Sequence, residues 1–315
     1  MNGSSNNGSA AGQHPLAGAS QALAGSVEKV AASVVAVHAA RHGAASGVAW
    51  RNGVVVTTAH SVRREDGIKV TLPDGSRAAA VLAGTDASTD LAVLEVDGLA
   101  LPVAATGNAD EVRTGHFVFA VARDAQAEVS ASFGIVGATG GAWRTWRGGR
   151  IDRLIRLDGG LYPGFSGGPI ADTEGRVIGI GTSALMRGFG VAIPAATVDR
   201  VTDQLLANGR VASGYLGVGT QSIAITEALA GKLGLASRQG LIVLSVAGGG
   251  PADAAGVLVS DILIAVAGNP VADISDLQAQ LGSHQAGDSV PLTLIRGGER
   301  IESLVTLGER PQRRC

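Results

Sequence analysis

Three residues of the sequence have the types and surroundings that nucleophilic catalysis requires. Ser166 lies within LYPGFSGGPI at residues 161–170, His60 ends an apolar run, and Asp90 immediately precedes another. A serine becomes an effective nucleophile when a histidine accepts its proton and an acid orients that histidine. Residues this far apart in sequence can act together only if the fold brings them into contact.

The glycine residues around Ser166 favour a tightly turned backbone. Gly164, Gly167 and Gly168 permit positive φ angles and the close approach of a ligand, and a proline flanks them on each side. In such a turn the serine hydroxyl is exposed, and two neighbouring N–H groups can hold the oxyanion of an attacked carbonyl. The alternative is a plain turn between two strands, because Gly and Pro punctuate any β protein.

His60 and Asp90 have the local sequences expected of a base and its orienting acid. His60 follows VVVTTA at residues 54–59, a predicted strand, where the chain begins to turn. Asp90 stands at the mouth of the apolar segment 91–96, where a carboxylate is costly unless it has a partner such as a histidine N–H. Taken singly, they also fit a surface histidine and a turn aspartate. The other histidines have no comparable context: His14, His38, His42, His116 and His284.

Composition indicates a globular protein of about two domains. The 315 residues are 45% hydrophobic and 17% charged, which allows sizeable cores. The 47 glycines favour many turns and strands. A net charge of −2 without a basic run argues against nucleic-acid binding. Cys315 is the one cysteine, so the fold must form without an intrachain disulfide.

The sequence contains no apolar run of about 18 residues, so no membrane span is expected. Its start is polar and uncharged and lacks the basic and apolar regions of a secretory signal. The sequence as given therefore predicts a cytoplasmic protein.

Short apolar runs separated by turn signals dominate residues 33–193, after a helical pattern over residues 24–31. Many short strands at fairly even spacing favour a sandwich or a pair of barrels. A helix is predicted over residues 197–208, ending at Gly209. The remaining 100 or so residues, about the size of one small domain, predict a compact α+β module. Its strands are predicted at 215–218, 241–244, 262–265 and 291–295, and its helices at 226–233 and 274–281.

The three local motifs TAH at 58–60, TDL at 89–91 and GFSGGP at 164–169 resemble the triad motifs of the HtrA/Deg family of trypsin-like serine proteases. The segments 26–37 and 188–194 also resemble that family, and the resemblance covers about residues 21–310. It implies a mostly β fold, with a chymotrypsin-like double β-barrel protease domain over 21–209 and an α+β PDZ domain over 210–310. Residues 1–20 are expected to be a disordered tail and 311–315 a second tail.

The resemblance also implies a role for each site residue. Ser166 would attack the peptide carbonyl, His60 would take its proton, and Asp90 would hold the imidazole. The oxyanion hole would be formed by the Gly164–Phe165–Ser166 backbone, through the N–H groups of Gly164 and Ser166. Phe165 departs from the asparagine usual in the family, so it could alter the loop or partly cover the pocket.

The substrate pocket is expected to accept a small or medium apolar residue. Its wall would include Gly160 and the strand carrying Gly179, Ile180 and Gly181. The segment 156–160 departs from the more polar version found in the family, although Asp158 is retained.

In the C-terminal module, Tyr215, Leu216, Gly217 and Val218 resemble the carboxylate-binding loop of PDZ domains. Segments 249–257, 260–264 and 268–271 match that module too. A peptide would add as a strand beside residues 216–220, with its carboxylate held by the loop N–H groups, and the helix near 277–281 would form the other wall. The alternative is a closed domain that binds nothing.

The sequence therefore predicts an ATP-independent serine endopeptidase that cleaves misfolded or unfolded proteins and needs no metal or cofactor. The rival is a catalytically silent, chaperone-like protein whose PDZ domain binds peptides, which Phe165 motivates. A secreted digestive or viral-type protease is disfavoured by the absence of disulfides and by the PDZ-like module.

The resemblance further implies a homotrimer and, as the alternative to the cytoplasm, the periplasm or cell envelope. The family commonly trimerises through aromatic residues near its N-terminus, whereas this chain has Trp50 as its first aromatic residue. Tryptophans and arginines over residues 143–150 form a loop that in the family acts as a sensor. Nucleic-acid stacking and simple cover for apolar surface are its other interpretations.

Overall fold

The computed structural model describes residues 15–40, 43–98, 100–211, 214–235, 237–282, 284 and 286–308. These residues form two compact units that alternate along the chain. The first unit takes its described residues from Met1–Gly84, Asp90–Gly141 and Arg153–Thr202. The second takes them from Thr85–Thr89, Ala142–Asp152 and Asp203–Cys315. None of the described helices is long and apolar enough to cross a membrane.

The chain begins with helix α1 (Pro15–Ala31), which starts earlier than the sequence suggested. Residues 15–20 are helical and not part of a tail, because proline is compatible with a first helical turn and the following leucine and alanines favour helix. The rest of the expected N-terminal tail, including His14, lies outside the described residues, as do His42 and the C-terminal tail with Cys315.

Six strands of the first unit close into a barrel with an interior rich in valine. They are β1 (Val34–His38), β2 (Ala45–Arg51), β3 (Val54–Thr58), β4 (Ile68–Thr71), β5 (Arg77–Asp86) and β6 (Leu91–Glu95). The barrel order is β1-β2-β3-β6-β5-β4. Val35, Val55 and Leu94 lie in its core, each without measurable exposure. The β2–β3 hairpin turns at Asn52 and Gly53, where Gly53 has a φ of 73°.

Eight further strands follow before the long helix α2 (Ala195–Asn208). They are β7 (Phe117–Arg123), β8 (Val129–Gly140), β9 (Trp143–Arg144), β10 (Arg150–Ile151), β11 (Leu154–Leu157), β12 (Pro169–Asp172), β13 (Val177–Thr182) and β14 (Val191–Pro194). Six of them close the second barrel of the first unit, in the order β11-β14-β13-β12-β7-β8. The short pair β9–β10 belongs to the second unit. The predicted pair of barrels is therefore confirmed.

The second unit contains one sheet packed with short helices. Its further elements are β15 (Val218–Ala224), α3 (Glu227–Leu233), β16 (Gln239–Val246), α4 (Pro251–Ala254), β17 (Ile262–Val266), β18 (Asn269–Pro270), α5 (Ile274–Leu281), β19 (Ser289–Arg296) and β20 (Glu299–Thr306). The strand order is β15-β16-β17-β19-β20, and β18 pairs with β17. Leu241, Leu292 and Val305 are fully buried in its core, so the predicted α+β module is confirmed.

The first strand of this module differs from the one predicted at 215–218. The strand β15 starts only at Val218, because Gly217 has a φ of 81° and turns the chain. Tyr215 instead exchanges two backbone hydrogen bonds with Gly308, at 2.9 and 3.0 Å.

Candidate active site

His60 is held at the end of β3, where the strand runs into a single 3₁₀ turn over Ala59–Ser61. Its backbone N–H donates to Asp90 Oδ1 at 2.9 Å, and its ring Nδ1 lies 2.8 Å from Asp90 Oδ2. A carboxylate oxygen can only accept at this distance, so Nδ1 carries the proton. In the neutral ring, Nε2 is then the nitrogen that can accept a proton.

Asp90 is 3% exposed, and its carboxylate is enclosed by hydrogen-bond donors. Besides the two bonds from His60, Oδ2 accepts a bond of 2.5 Å from the Thr182 hydroxyl. The residue has a φ of 62°, a left-handed conformation that aspartate tolerates better than most residues. Three hydrogen bonds thus hold this buried carboxylate in place.

Thr182 is the member of this arrangement that sequence reasoning missed. It ends β13, and its own oxygen also accepts from the Ala184 N–H at 3.0 Å. The sequence marked its strand only as a pocket wall, and nothing in the local pattern distinguishes a threonine that pairs with a distant aspartate. Its fully buried position at a strand end is visible only in the fold.

The Ser166 loop begins with a hydrogen-bonded turn over residues 162–165. The Phe165 N–H donates to the Tyr162 carbonyl at 3.1 Å, and Gly164 has a φ of 88°. A proline followed by a glycine with positive φ is typical of a type II turn. The loop therefore adopts the tightly turned backbone expected from its glycines and prolines.

Some backbone N–H groups of this loop donate hydrogen bonds, and two do not. The N–H groups of Phe165, Gly167 and Gly168 donate to carbonyls of Tyr162, Gly181 and Phe165 respectively. The N–H groups of Gly164 and Ser166 have no hydrogen-bond acceptor within the described ranges. Two unpaired N–H donors, one on each side of Phe165, thus lie in the loop that carries the Ser166 hydroxyl.

The loop and the His60–Asp90 pair meet at the end of β13. Gly167 and Gly168 exchange hydrogen bonds with Gly181, each 2.9 Å long, and the next residue of that strand is Thr182. Among the described residues no hydrogen bond joins Ser166 to the His60 ring, and the Ser166 hydroxyl lies 3.2 Å from that of Ser183. Catalytic hydrogen bonds are often long in unliganded enzymes and tighten with substrate.

Phe165 packs into the core of the second barrel. It is 7% exposed and lies in the same apolar cluster as Val136 and Ile170. Its ring centroid is 6.1 Å from that of Tyr162. The Phe165 side chain therefore anchors the loop to the barrel core and does not cover the surface of the loop.

The four residues expected to line the pocket have different surroundings. A Cβ atom on Gly181 would lie 3.0 Å from Ile170 Cδ1 and 3.1 Å from Leu161 Cδ1, whereas one on the exposed Gly160 would meet only the Gly188 carbonyl oxygen, at 3.9 Å. The other two residues lie within the barrel wall. Gly179 is packed against the backbone of Ile193, and Ile180 is fully buried.

In the second unit, residues 215–218 form a loop with two free N–H groups. The carbonyls of Leu216 and Gly217 accept bonds from Ala252 and Ala247, but the N–H groups of Leu216 and Gly217 have no acceptor within the described part of the chain. The strand β15 that follows lies at the edge of its sheet and contacts α5. An edge strand with free donors at its start is suited to binding an extended peptide.

The aromatic and basic residues over 143–150 form the β9–β10 hairpin of this unit. Trp146 is 71% exposed, and the Arg147 guanidinium lies 4.5 Å from its ring centroid. Arg144 donates to the Ala279 carbonyl at 2.7 Å. Trp146 thus does not cover apolar surface within the unit, while Trp143 is half-buried.

Known domain families match both parts of the chain. A trypsin-like peptidase domain matches residues 45–180, and a PDZ domain matches residues 214–307. The probable periplasmic serine endoprotease DegP-like of Ectopseudomonas mendocina (strain ymp) is 34% identical over 266 residues, which are 83% of this chain and 55% of that protein. The protein of the same name in Brucella suis biovar 1 is 36% identical over 82% of this chain and 51% of its own length. The chain thus spans about half the length of these curated relatives.

Solved structures are similar over almost the whole chain. The HtrA-type protease AlgW with a tripeptide superposes with a TM-score of 0.72 and 30% identity, over 92% of this chain and 98% of that one. The serine endoprotease from Yersinia pestis gives 0.73 and 28%, over 91% and 97%. The fold and the matched families thus define a trypsin-like peptidase domain and a PDZ domain in one chain. The chain belongs to the HtrA/DegP family, as its motifs indicated.

The Ser166 loop leaves no space for a side chain at Gly167. A Cβ atom there would overlap the Ser46 carbonyl oxygen and the Thr57 hydroxyl, and the φ of 85° disfavours any other residue. We predict that Gly167→Ala lowers the free energy of unfolding by about 3 kcal/mol, measured by urea denaturation. Gly134→Ala is the matched control, because that strand glycine has open space around it and no positive φ. Equal stability of the two variants would contradict the close packing of the loop.

Proposed function

We propose that the chain is a serine endopeptidase in which Ser166 is the nucleophile, His60 the general base and Asp90 the group that orients His60. The observation that carries this proposal is the pair of unpaired N–H groups, on Gly164 and Ser166, in a loop whose other N–H groups are bonded. Family membership supports the same assignment.

The geometry supports a two-step acyl transfer. Ser166 Oγ attacks the scissile carbonyl while His60 Nε2 accepts its proton, and the imidazolium then protonates the leaving amine. Asp90 fixes the tautomer through Nδ1 and stabilises the imidazolium. Water hydrolyses the acyl-enzyme by the same steps, with His60 again acting as the base.

The oxyanion hole consists of the backbone N–H groups of Gly164 and Ser166, with Phe165 between them. Buried Phe165 holds the loop by packing into the apolar cluster of the second barrel. The substitution that motivated the catalytically silent alternative is thus compatible with an active loop. Removing one such donor typically costs about 10²–10³ in rate.

A fluorophosphonate probe tests this assignment, because it forms a covalent tetrahedral adduct with an activated serine. We expect wild type to be labelled and Ser166→Ala to be unlabelled with an unchanged fold. Ser130→Ala is the matched control, since Ser130 is an exposed serine on β8 and should be labelled like wild type. An unlabelled wild type, with and without peptides for the PDZ domain, would favour the catalytically silent peptide-binding protein.

The substrates we infer are unfolded or misfolded polypeptides with a small or medium apolar residue at the cleaved bond. Gly160 supports a pocket beside the Ser166 loop, because it is exposed and carries no side chain, whereas Gly181 is buried against Ile170 and Leu161 and forms the wall behind it. Gly179 and Ile180 act only by supporting this wall from within the barrel. We further infer a protease domain over residues 21–209 and a PDZ domain over 210–310.

The PDZ domain is proposed to bind the carboxyl termini of extended peptides. The free N–H groups of Leu216 and Gly217 would hold the carboxylate, and the unpaired edge of β15 would bind the peptide backbone. The structure of AlgW carries a tripeptide, which supports peptide binding in this family.

A peptide pair tests the role of the carboxylate. We expect random decapeptides with free carboxyl termini to bind, and the same pool with amidated termini to bind at least tenfold more weakly, because a charge-assisted hydrogen bond is lost at each donor. Isothermal titration on the Ser166→Ala variant, which cannot cleave them, gives the affinities. Equal affinity of both pools would show that the loop does not hold a carboxylate.

Assembly is proposed from the family resemblance, and location from the names of the relatives. We infer a homotrimer, which light scattering tests by a mass of three chains, and a monomeric mass would contradict it. The relatives are named periplasmic, so we propose the periplasm in place of the cytoplasm expected from the start of the sequence. Release of the protein by osmotic shock of native cells would support this location, and retention with cytoplasmic markers would contradict it.

A further inference from the structure

Ser46 contacts the Ser166 loop at two points from the opposite barrel. The residue lies in β2, is fully buried, and was not selected by any sequence pattern. Its Oγ donates to the Gly164 carbonyl at 2.7 Å, and its backbone N–H donates to the Ser166 carbonyl at 3.2 Å. One residue thus binds the carbonyls of both residues whose N–H groups are free.

These two bonds restrain the peptides on both sides of the one that joins Phe165 to Ser166. A peptide group is planar, so a bond to the Gly164 carbonyl also orients the Phe165 N–H, which donates to Tyr162 on the other side. The peptide that follows Ser166 is held in the same way, by Ser46 at its carbonyl and by Gly181 at the Gly167 N–H. The peptide between them, which carries the Ser166 N–H, is held at its carbonyl by the Gly168 N–H.

The direction of the Ser46 hydroxyl proton is determined by a third contact. The Arg123 backbone N–H donates to Ser46 Oγ at 3.1 Å, so the hydroxyl must give its own proton to the Gly164 carbonyl. The Arg123 side chain is 5% exposed and donates to the carbonyls of Ala31, Val34 and Ala127. Its burial lowers the pKa of the guanidinium, which Asp124 partly opposes. The donor to Ser46 is therefore on a firmly anchored backbone.

The space around Ser46 admits few other side chains. A Cβ atom on Gly168 would already lie 3.2 Å from Ser46 Cβ, and one on Gly167 would overlap the Ser46 carbonyl oxygen. A smaller alanine would leave the Gly164 carbonyl and the Arg123 N–H without a partner. An unpaired buried polar group costs about 1–3 kcal/mol, which the loop would relieve by moving.

We propose that Ser46 is a positioning residue for the oxyanion hole, acting through the carbonyls of Gly164 and Ser166. The inference rests on the proposed function of Ser166 and adds the residue that restrains the two peptides on either side of the one carrying the Ser166 N–H. Ser46 does not touch the substrate. Its loss is expected to slow the chemical step while leaving the binding of the ground state unchanged.

The concentration dependence of fluorophosphonate labelling separates an effect on the chemical step from an effect on ground-state binding. We expect Ser46→Ala to lower the maximal rate of inactivation about tenfold, since positional loosening should cost less than the loss of a whole donor. The half-saturating probe concentration should stay unchanged. Ser33→Ala is the matched control, because Ser33 is also a buried serine in the same unit whose hydroxyl donates to a backbone carbonyl, Val30 at 2.9 Å.

Thermal unfolding of each variant identifies effects that are only structural. A folded Ser46→Ala with the wild-type maximal rate, or an equal loss of rate in Ser33→Ala, would overturn the inference. If Ser46→Ala does not fold, Ser46→Cys keeps the size and a weaker donor, and its rate should also fall. A wild-type rate in that variant would overturn the inference. An unlabelled wild type would instead overturn the proposed function, and the inference with it.

Discussion

The buried carboxylate of Asp90 is the constraint on which the arrangement of the first unit depends. A polar group removed from water needs hydrogen-bond partners, and Asp90 receives two bonds from His60 and one from Thr182. His60 and Asp90 belong to the first barrel, whereas Thr182 ends a strand of the second. The hydrogen bonds of one carboxylate therefore link the two barrels at the end of β13, where the Ser166 loop also contacts this strand.

Close packing of backbone on backbone is the second constraint at this junction. Gly167 and Gly168 have no space for a Cβ atom, because Ser46, Thr57 and Val121 already occupy it. The glycines therefore serve two purposes in the same loop. Gly167 adopts a positive φ angle in the turn, and both glycines let the nucleophile's backbone approach β2 and β7 closely, with hydrogen bonds to Ser46 of β2.

Phe165 anchors the nucleophile loop by apolar packing. Its phenyl ring enters the apolar cluster of the second barrel. Its ring contact with Tyr162 extends this anchor to the first residue of the turn. The backbone, and not this side chain, would hold the oxyanion.

The sequence by itself determined the architecture and selected the site. Short apolar runs such as 54–58 and 177–180 predicted strands that the structure contains, and the motifs around His60, Asp90 and Ser166 indicated the family. The strands β12 and β14 were not predicted, and β12 begins with a proline, which is unfavourable inside a sheet. The helix α1 starts before Gln21 because alanine and leucine favour helix even where no amphipathic pattern is visible.

Only the tertiary structure decided which distant groups complete the site. Thr182 and Ser46 carry no local pattern, because their roles depend on hydrogen bonds across 92 and 118 residues of sequence. The direction of the Phe165 side chain was equally undetermined, since burial depends on the neighbouring barrel wall. Local sequence specifies periodicity and turns, whereas the pairing of buried polar groups depends on where the folded chain brings them.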